Sequence, residues 1–208
     1  PDVASLLRFA EAAVKRIKAE EESGYLFFSP EMNQRAKEKW QLEGDLRHAL
    51  VAQQLVLFYQ PKVSLRSGRI VGAEALIRWR HPVSGMVSPA KFIPVAEETG
   101  LILDIGSWVL DEACRQMRAW IDAGLDMPTI AVNLSARQFD RLLPTRVQAV
   151  LDRYQLPPER LQLEITESLL VRGVEGVIKI MNELVAMGLA LSMDDFGTGY
   201  SSLSYLKK

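Results

Sequence analysis

Cysteine and histidine are nearly absent from this chain: its 208 residues include one cysteine, Cys114, and two histidines, His48 and His81. A lone cysteine excludes an internal disulfide, and so few soft ligands disfavour a structural zinc site. An excess of one charge is missing too, because 25 basic residues face 26 acidic ones for a formal net charge of −1. A nucleic-acid polymer held through many phosphates would find no broad cationic field here. No apolar run reaches the ~20 residues of a membrane span, and the chain does not start with a secretory signal pattern. We therefore expect a cytoplasmic protein, with any membrane tether outside these residues. The composition, 48% hydrophobic and 25% charged, is that of a globular chain with a real core. Cys114, within the helical stretch Trp108 to Trp120, reads as a buried thiol.

Leu6, Ala10, Ala13, Val14 and Ile17 recur at helical spacing, and Gly24 ends that helix before the β-like run Tyr25 to Phe28. A lone helix and strand bury too little surface to fold alone, so residues 1–29 read as the tail of something larger. Pro30 opens a highly charged helix, residues 30–53, whose narrow apolar stripe is Leu42, Leu46, Ala49 and Leu50, the pattern of a connector. Over residues 54–208, β-like and helical runs alternate. Strands are predicted at Leu55 to Tyr59, Ile70 to Ile77, Thr129 to Leu134, Leu161 to Ile165 and Ala190 to Met193. Helices are predicted at Ile105 to Ala123, Thr145 to Tyr154 and Val174 to Met187. Such alternation predicts an α/β fold with a largely parallel sheet. This part is well short of the ~250 residues of a complete eight-stranded barrel, so we expect a barrel cut after its fifth strand.

Four of these strands are read as ending in oxygen donors: Glu74, Asn133, Glu164 and the pair Asp194 and Asp195. Catalytic groups of β/α folds gather where strands meet loops, and an all-oxygen set favours Mg²⁺ or Mn²⁺. Adjacent aspartates suit two ions, which together activate water and neutralise a phosphodiester during in-line attack. Each residue also has a plainer reading: Glu74 as a solvated carboxylate, Asn133 as a turn residue, Asp194 and Asp195 as a turn or helix cap. Their joint occurrence favours the metal site. Arg78 lies four residues after Glu74 and so on the same face of an extended chain, where it could grip a phosphate or make a surface salt bridge. Gln60 could hydrogen-bond a base or sugar, or cap a strand. Thr166 and Glu167 could order the glycine-bearing loop Phe196 to Ser202. His48 and His81 read as non-catalytic, and Trp79, Phe92 and Trp108 as core or wall.

Several motifs stand together and in order: Phe58-Tyr59-Gln60-Pro61, Glu74-Ala75-Leu76-Ile77-Arg78-Trp79, Phe92-Ile93-Pro94 to Gly100-Leu101-Ile102, Asn133-Leu134-Ser135, Glu164-Ile165-Thr166-Glu167, and Asp194-Asp195-Phe196-Gly197-Thr198-Gly199-Tyr200-Ser201-Ser202. In these the chain resembles the EAL family of bacterial cyclic-di-GMP phosphodiesterases from about Leu42 onward. The resemblance implies a modified triosephosphate-isomerase-type (β/α)8 barrel with an antiparallel first strand, of which about five strands are present here. It implies that Glu74, Asn133, Glu164 and Asp194 hold a first Mg²⁺ or Mn²⁺, that Asp195 joins a second, and that Gln60, Leu76 and Arg78 contact the dinucleotide. Glu167 would hold the loop after Asp195. The implied reaction is hydrolysis of cyclic-di-GMP to linear pGpG, with Glu74, Asp194 and Asp195 at its centre. Residues 1–29 resemble the end of a GGDEF domain without its active site, which implies a covalently linked GGDEF domain in a parent protein. The family's later lysine, its general-base glutamate and three strands have no counterpart in these residues, so the piece itself is expected to turn over poorly. The alternative function is a non-catalytic cyclic-di-GMP receptor that signals through a dimerising connector helix, the parent being a homodimer.

Overall fold

The structure, a computed structural model, describes residues 30–125, 127–166 and 174–194, together with the isolated positions Leu7, Ala10, Glu11 and Val14. The expected strand at Tyr25 to Phe28, the loop Phe196 to Ser202, and the candidate residues Glu167 and Asp195 lie outside the described residues. The chain divides into two compact units, 1–48 and 49–208. Helix α1 (Pro30–Val51) provides most of what is described of the first unit. Side-chain pairs Gln34–Glu38 and Glu43–Arg47, each at 2.9 Å and four residues apart, add a few tenths of a kcal/mol each to such a helix. It stops short of the expected Gln53, where the backbone turns to a φ of +53° and the helical ladder cannot continue.

In the second unit, β1 (Leu55–Val63) and β2 (Ile70–His81) pair antiparallel. The short β3 (Gly85–Val87) folds back on the end of β2. Strands β4 (Ile130–Leu134), β5 (Leu161–Thr166) and β6 (Ala190–Asp194) then join in parallel, giving the order β1-β2-β4-β5-β6. Helices α2 (Pro89–Thr99), α3 (Ile102–Asp122), α4 (Leu143–Tyr154) and α5 (Val174–Ala186) fill the crossovers. The α/β class and the antiparallel first strand are as expected. Among the described residues no helix is long and apolar enough to cross a membrane.

Three details differ from the sequence reading, each for a physical reason. β1 continues through Pro61 to Val63, because it is the outer strand of the described sheet, where a residue without an N–H is tolerated; Gln60 therefore lies within the strand rather than capping it. β2 runs to His81, which is its last residue and not beyond it, because pairing with β1 and β3 supports the strand after it has left β4. Helix α2, of which the sequence showed only the helix-like pair Glu97 and Glu98, was not predicted as a whole because Pro94 sits inside it, although its flanks carry the usual punctuation: Ser88-Pro89 at the start and Gly100, at a φ of +81°, at the end.

The parity of the strands separates two faces. Rows of facing residues such as Ala73, Ile130 and Leu161, or Ala75, Val132 and Leu163, are apolar and buried. Helix α3 packs on this side, beside β4 and α4, through Ile105, Val109, Ala113 and Met117, each four residues after the last. Each large side chain so buried contributes roughly 1.5–3 kcal/mol. The opposite face carries Gln60, Glu74, Asn133, Glu164, Ser192 and Asp194.

Candidate metal centre

Register explains how separate strands deliver these groups to one surface. Gln60 of β1 stands opposite Glu74 of β2. Asn133 of β4 is level with Glu164 of β5, which is level with Ser192 of β6, and Asp194 lies two residues further on, opposite Thr166. Glu74 pairs with Ala131, two residues before Asn133 and on the same face. The expectation that Glu74 ends its strand is corrected: it lies within β2, but the parallel ladder with β4 stops one residue later, at Ala75. Glu74 thus occupies the carboxyl end of the parallel part, which is what positions a catalytic group in such sheets.

Hydrogen bonds tie the row together. Asn133 Nδ2 donates to Glu74 Oε1 at 2.7 Å, which uses the amide nitrogen of Asn133 and leaves its carbonyl oxygen as the metal-type donor. Glu164 is buried, 7% exposed, and its Oε1 accepts from Lys62 Nζ and from Ser192 Oγ, the latter at 3.4 Å. A buried carboxylate needs such partners. Lys62 was not singled out from the sequence. Its signal was the period of two along β1, which puts Lys62 on the face of Gln60, but Pro61 masks it by suggesting that the strand is already over.

Glu74, Asn133 and Glu164 form a continuous row, and Asp194 lies at the exposed end of β6 on the same face. Among the described residues no three His, Cys, Asp or Glu side chains converge tightly enough to hold an ion unaided. One of the four candidate donors is an amide, which such a carboxylate cluster does not include. As a donor set, three carboxylates and one amide oxygen fit a hard divalent ion.

A family model described as the EAL domain matches residues 43–208. The chain belongs to the EAL domain family. The bifunctional diguanylate cyclase/cyclic di-GMP phosphodiesterase MucR of Pseudomonas aeruginosa is 52% identical over 96% of this chain and 29% of its own length. The cyclic di-GMP phosphodiesterase PdeR of Escherichia coli is 39% identical over 100% of this chain and 31% of its own length. The chain thus spans less than a third of these two curated relatives. Among solved structures, the PaMucR phosphodiesterase in complex with c-di-GMP superimposes with a TM-score of 0.76 at 54% identity, covering 80% of this chain and 68% of that one.

Where the EAL strands end against α2 and α3 lies a cleft of about 470 Å³, lined by Leu76, Arg78, Asn133 and Thr166 from the strands and by Pro94 and Ile105 from the helices. Arg78 makes no salt bridge among the described residues: Nη1 donates to the Ile77 carbonyl at 2.8 Å, and the guanidinium lies 5.9 Å from the centre of the Phe58 ring, leaving donors for an anion. In the cleft wall, Ser135 Oγ donates to Glu97 Oε1 at 2.6 Å while the buried Gln138 accepts from the Ser135 N–H at 3.1 Å, fixing the backbone just after Asn133. A second hollow of about 410 Å³, between α3 and α4, holds none of the candidate ligands.

Residues that the sequence reading set aside stay outside this EAL site. His81 Nδ1 accepts from the N–H groups of Val83 and Ser84, a turn-stabilising role. Trp79 and Phe92 are fully buried and meet edge to face at 5.7 Å. Burial, with some help from Asp111, pushes the Cys114 thiol up to about 12, so it is not a nucleophile.

Proposed function

We propose that the protein is a cyclic-di-GMP phosphodiesterase domain that hydrolyses one phosphodiester of the cyclic dinucleotide to give linear pGpG. The observation that carries this reading is the Glu74–Asn133–Glu164 row, with Asp194 on the same face, the four residues that the family resemblance assigns to the first metal. Glu74, Asn133, Glu164 and Asp194 would hold one Mg²⁺ or Mn²⁺, and Asp195 would serve a second. Two such ions supply water activation and neutralisation of phosphodiester charge. The chain's own residues do the placing. Gln60, opposite Glu74, and Leu76, in the cleft wall, hold the dinucleotide beside the donor row, while Arg78 directs its guanidinium to a phosphate that its neighbours leave accessible. The Asn133–Glu74 hydrogen bond keeps both donors in place before an ion arrives, and Glu167 would hold the loop after Asp195, as the resemblance implies. Water adds to phosphorus, one P–O bond breaks, and the ring opens.

Similarity to the bifunctional MucR supports reading residues 1–29 as the end of a GGDEF domain; α1 as its connector and a cytoplasmic, dimeric parent protein are further parts of the proposal. The test is cyclic-di-GMP hydrolysis with Mg²⁺ by a parent protein that carries this chain within a full barrel. We expect pGpG, abolished by Asp194→Ala. Turnover that survives this change overturns the assignment, and tight binding without turnover in the unmodified protein makes it a receptor.

A further inference from the structure

We propose that Lys62 is a built-in counter-ion that holds Glu164 in the metal-free protein and competes with the divalent ion for it. This inference rests on the metal-site reading above. Lys62 Nζ donates to Glu164 Oε1, although the two residues are 102 positions apart and stand on strands separated by β2 and β4. Three inter-strand steps of about 4.8 Å must be crossed, so the contact needs a curled sheet and a clear path. The sequence supplies that path: the residue opposite Lys62 on β2 is Gly72, and the same-face position of β4 beside Glu74 is Ala131.

Charge explains why a lysine belongs there. Glu164 is buried, and a buried carboxylate without a cation is strongly disfavoured. Before metal binds, Lys62 is the one cation paired with it among the described residues, and the remaining bond, from Ser192, is long at 3.4 Å. A divalent ion on Glu164 takes over the same carboxylate and meets the Lys62 charge as a repulsion. The Lys62 side chain, one-third exposed, can then swing along the polar face, where an anionic phosphodiester would meet it. The ammonium thus preserves the site when empty and weakens the ion's hold on it.

The probe is Mn²⁺ alone, titrated into the protein with the free ion followed by electron paramagnetic resonance. Lys62→Met is expected to bind Mn²⁺ about tenfold more tightly than the unmodified protein, the scale of one charge-assisted hydrogen bond removed from the competition. Lys62→Arg, which keeps the charge, is expected to stay near the unmodified value. Equal or weaker binding by Lys62→Met overturns the role of Lys62 and leaves the metal site standing. No binding by any of the three overturns both readings. A second measurement needs no altered fold: the ¹⁵N signal of the Lys62 ammonium, followed during Mg²⁺ addition to the unmodified protein, is expected to shift in step with ion binding. A signal that stays unchanged while Mg²⁺ binds overturns the competition.

Discussion

Leu163 and Glu164 are neighbours on β5, and both are buried, yet one faces the helices and the other faces the donor row. On the helix side, facing residues of β2, β4 and β5 are interchangeable in kind: apolar, closely packed and without directional demands. On the other side the buried and row-forming donors have specific partners, Glu74 with Asn133 and Glu164 with Lys62 and Ser192. The difference teaches how one sheet serves two purposes, since a period of two lets packing and chemistry be set independently along the same strand.

The sharpest way to break that comparison is from the polar side. Asp194→Ala removes an exposed carboxylate at a strand end, so turnover of cyclic-di-GMP is expected to vanish while the melting temperature scarcely moves; a large fall in melting temperature would mean that the two sides are not independent. From the apolar side, Leu163→Ala is expected to cost about 2–5 kcal/mol, as for other large-to-small changes in a core, read as a lower urea midpoint with Mn²⁺ affinity retained in the folded fraction.

Smaller effects probe the join between the two sides. A Cβ added at Gly106 of α3 would come within 1.8 Å of Gln138 Nε2. Gly106→Ala should therefore displace a buried side chain and loosen the turn after Asn133, costing about 1–3 kcal/mol and raising the Mn²⁺ dissociation constant as well. The smallest effect concerns Cys114. Because its folded thiol lies near 12 against an ordinary 9.0, the native state keeps a proton that the unfolded chain loses. The resulting stability is fully present below pH 9.0 and is lost as the pH climbs toward about 12. Cys114→Ala should flatten that alkaline decline in the urea midpoint, and the native thiol should resist alkylation at pH 8.

Much of this was legible in the chain, for reasons that particular residues make plain. Long periodic segments such as Ile105 to Ala123 announce their buried face, and β/α alternation announces a largely parallel sheet, so the class could be anticipated. Glu74, Asn133 and Glu164 could be singled out because oxygen donors recur near the ends of successive strands. What escaped depended on contacts that no local pattern encodes. Pro61 and Pro94 read locally as breaks, yet one sits in an outer strand and the other inside a helix flanked by good caps. β3 is three residues long, too short to show a period. Lys62 is paired by the curl of the sheet, a property of four strands together rather than of β1.

The hydrogen bond from Asn133 to Glu74 spans 59 residues and the one from Lys62 to Glu164 spans 102. Contacts this remote in sequence close slowly, because a long loop must lose its freedom before they give anything back. The β1–β2 hairpin can form early by itself, but the donor row does not exist until β4 and β5 have docked beside it. A half-folded chain is therefore blind to the ion, and affinity for Mn²⁺ during refolding should rise with the last phase rather than the first.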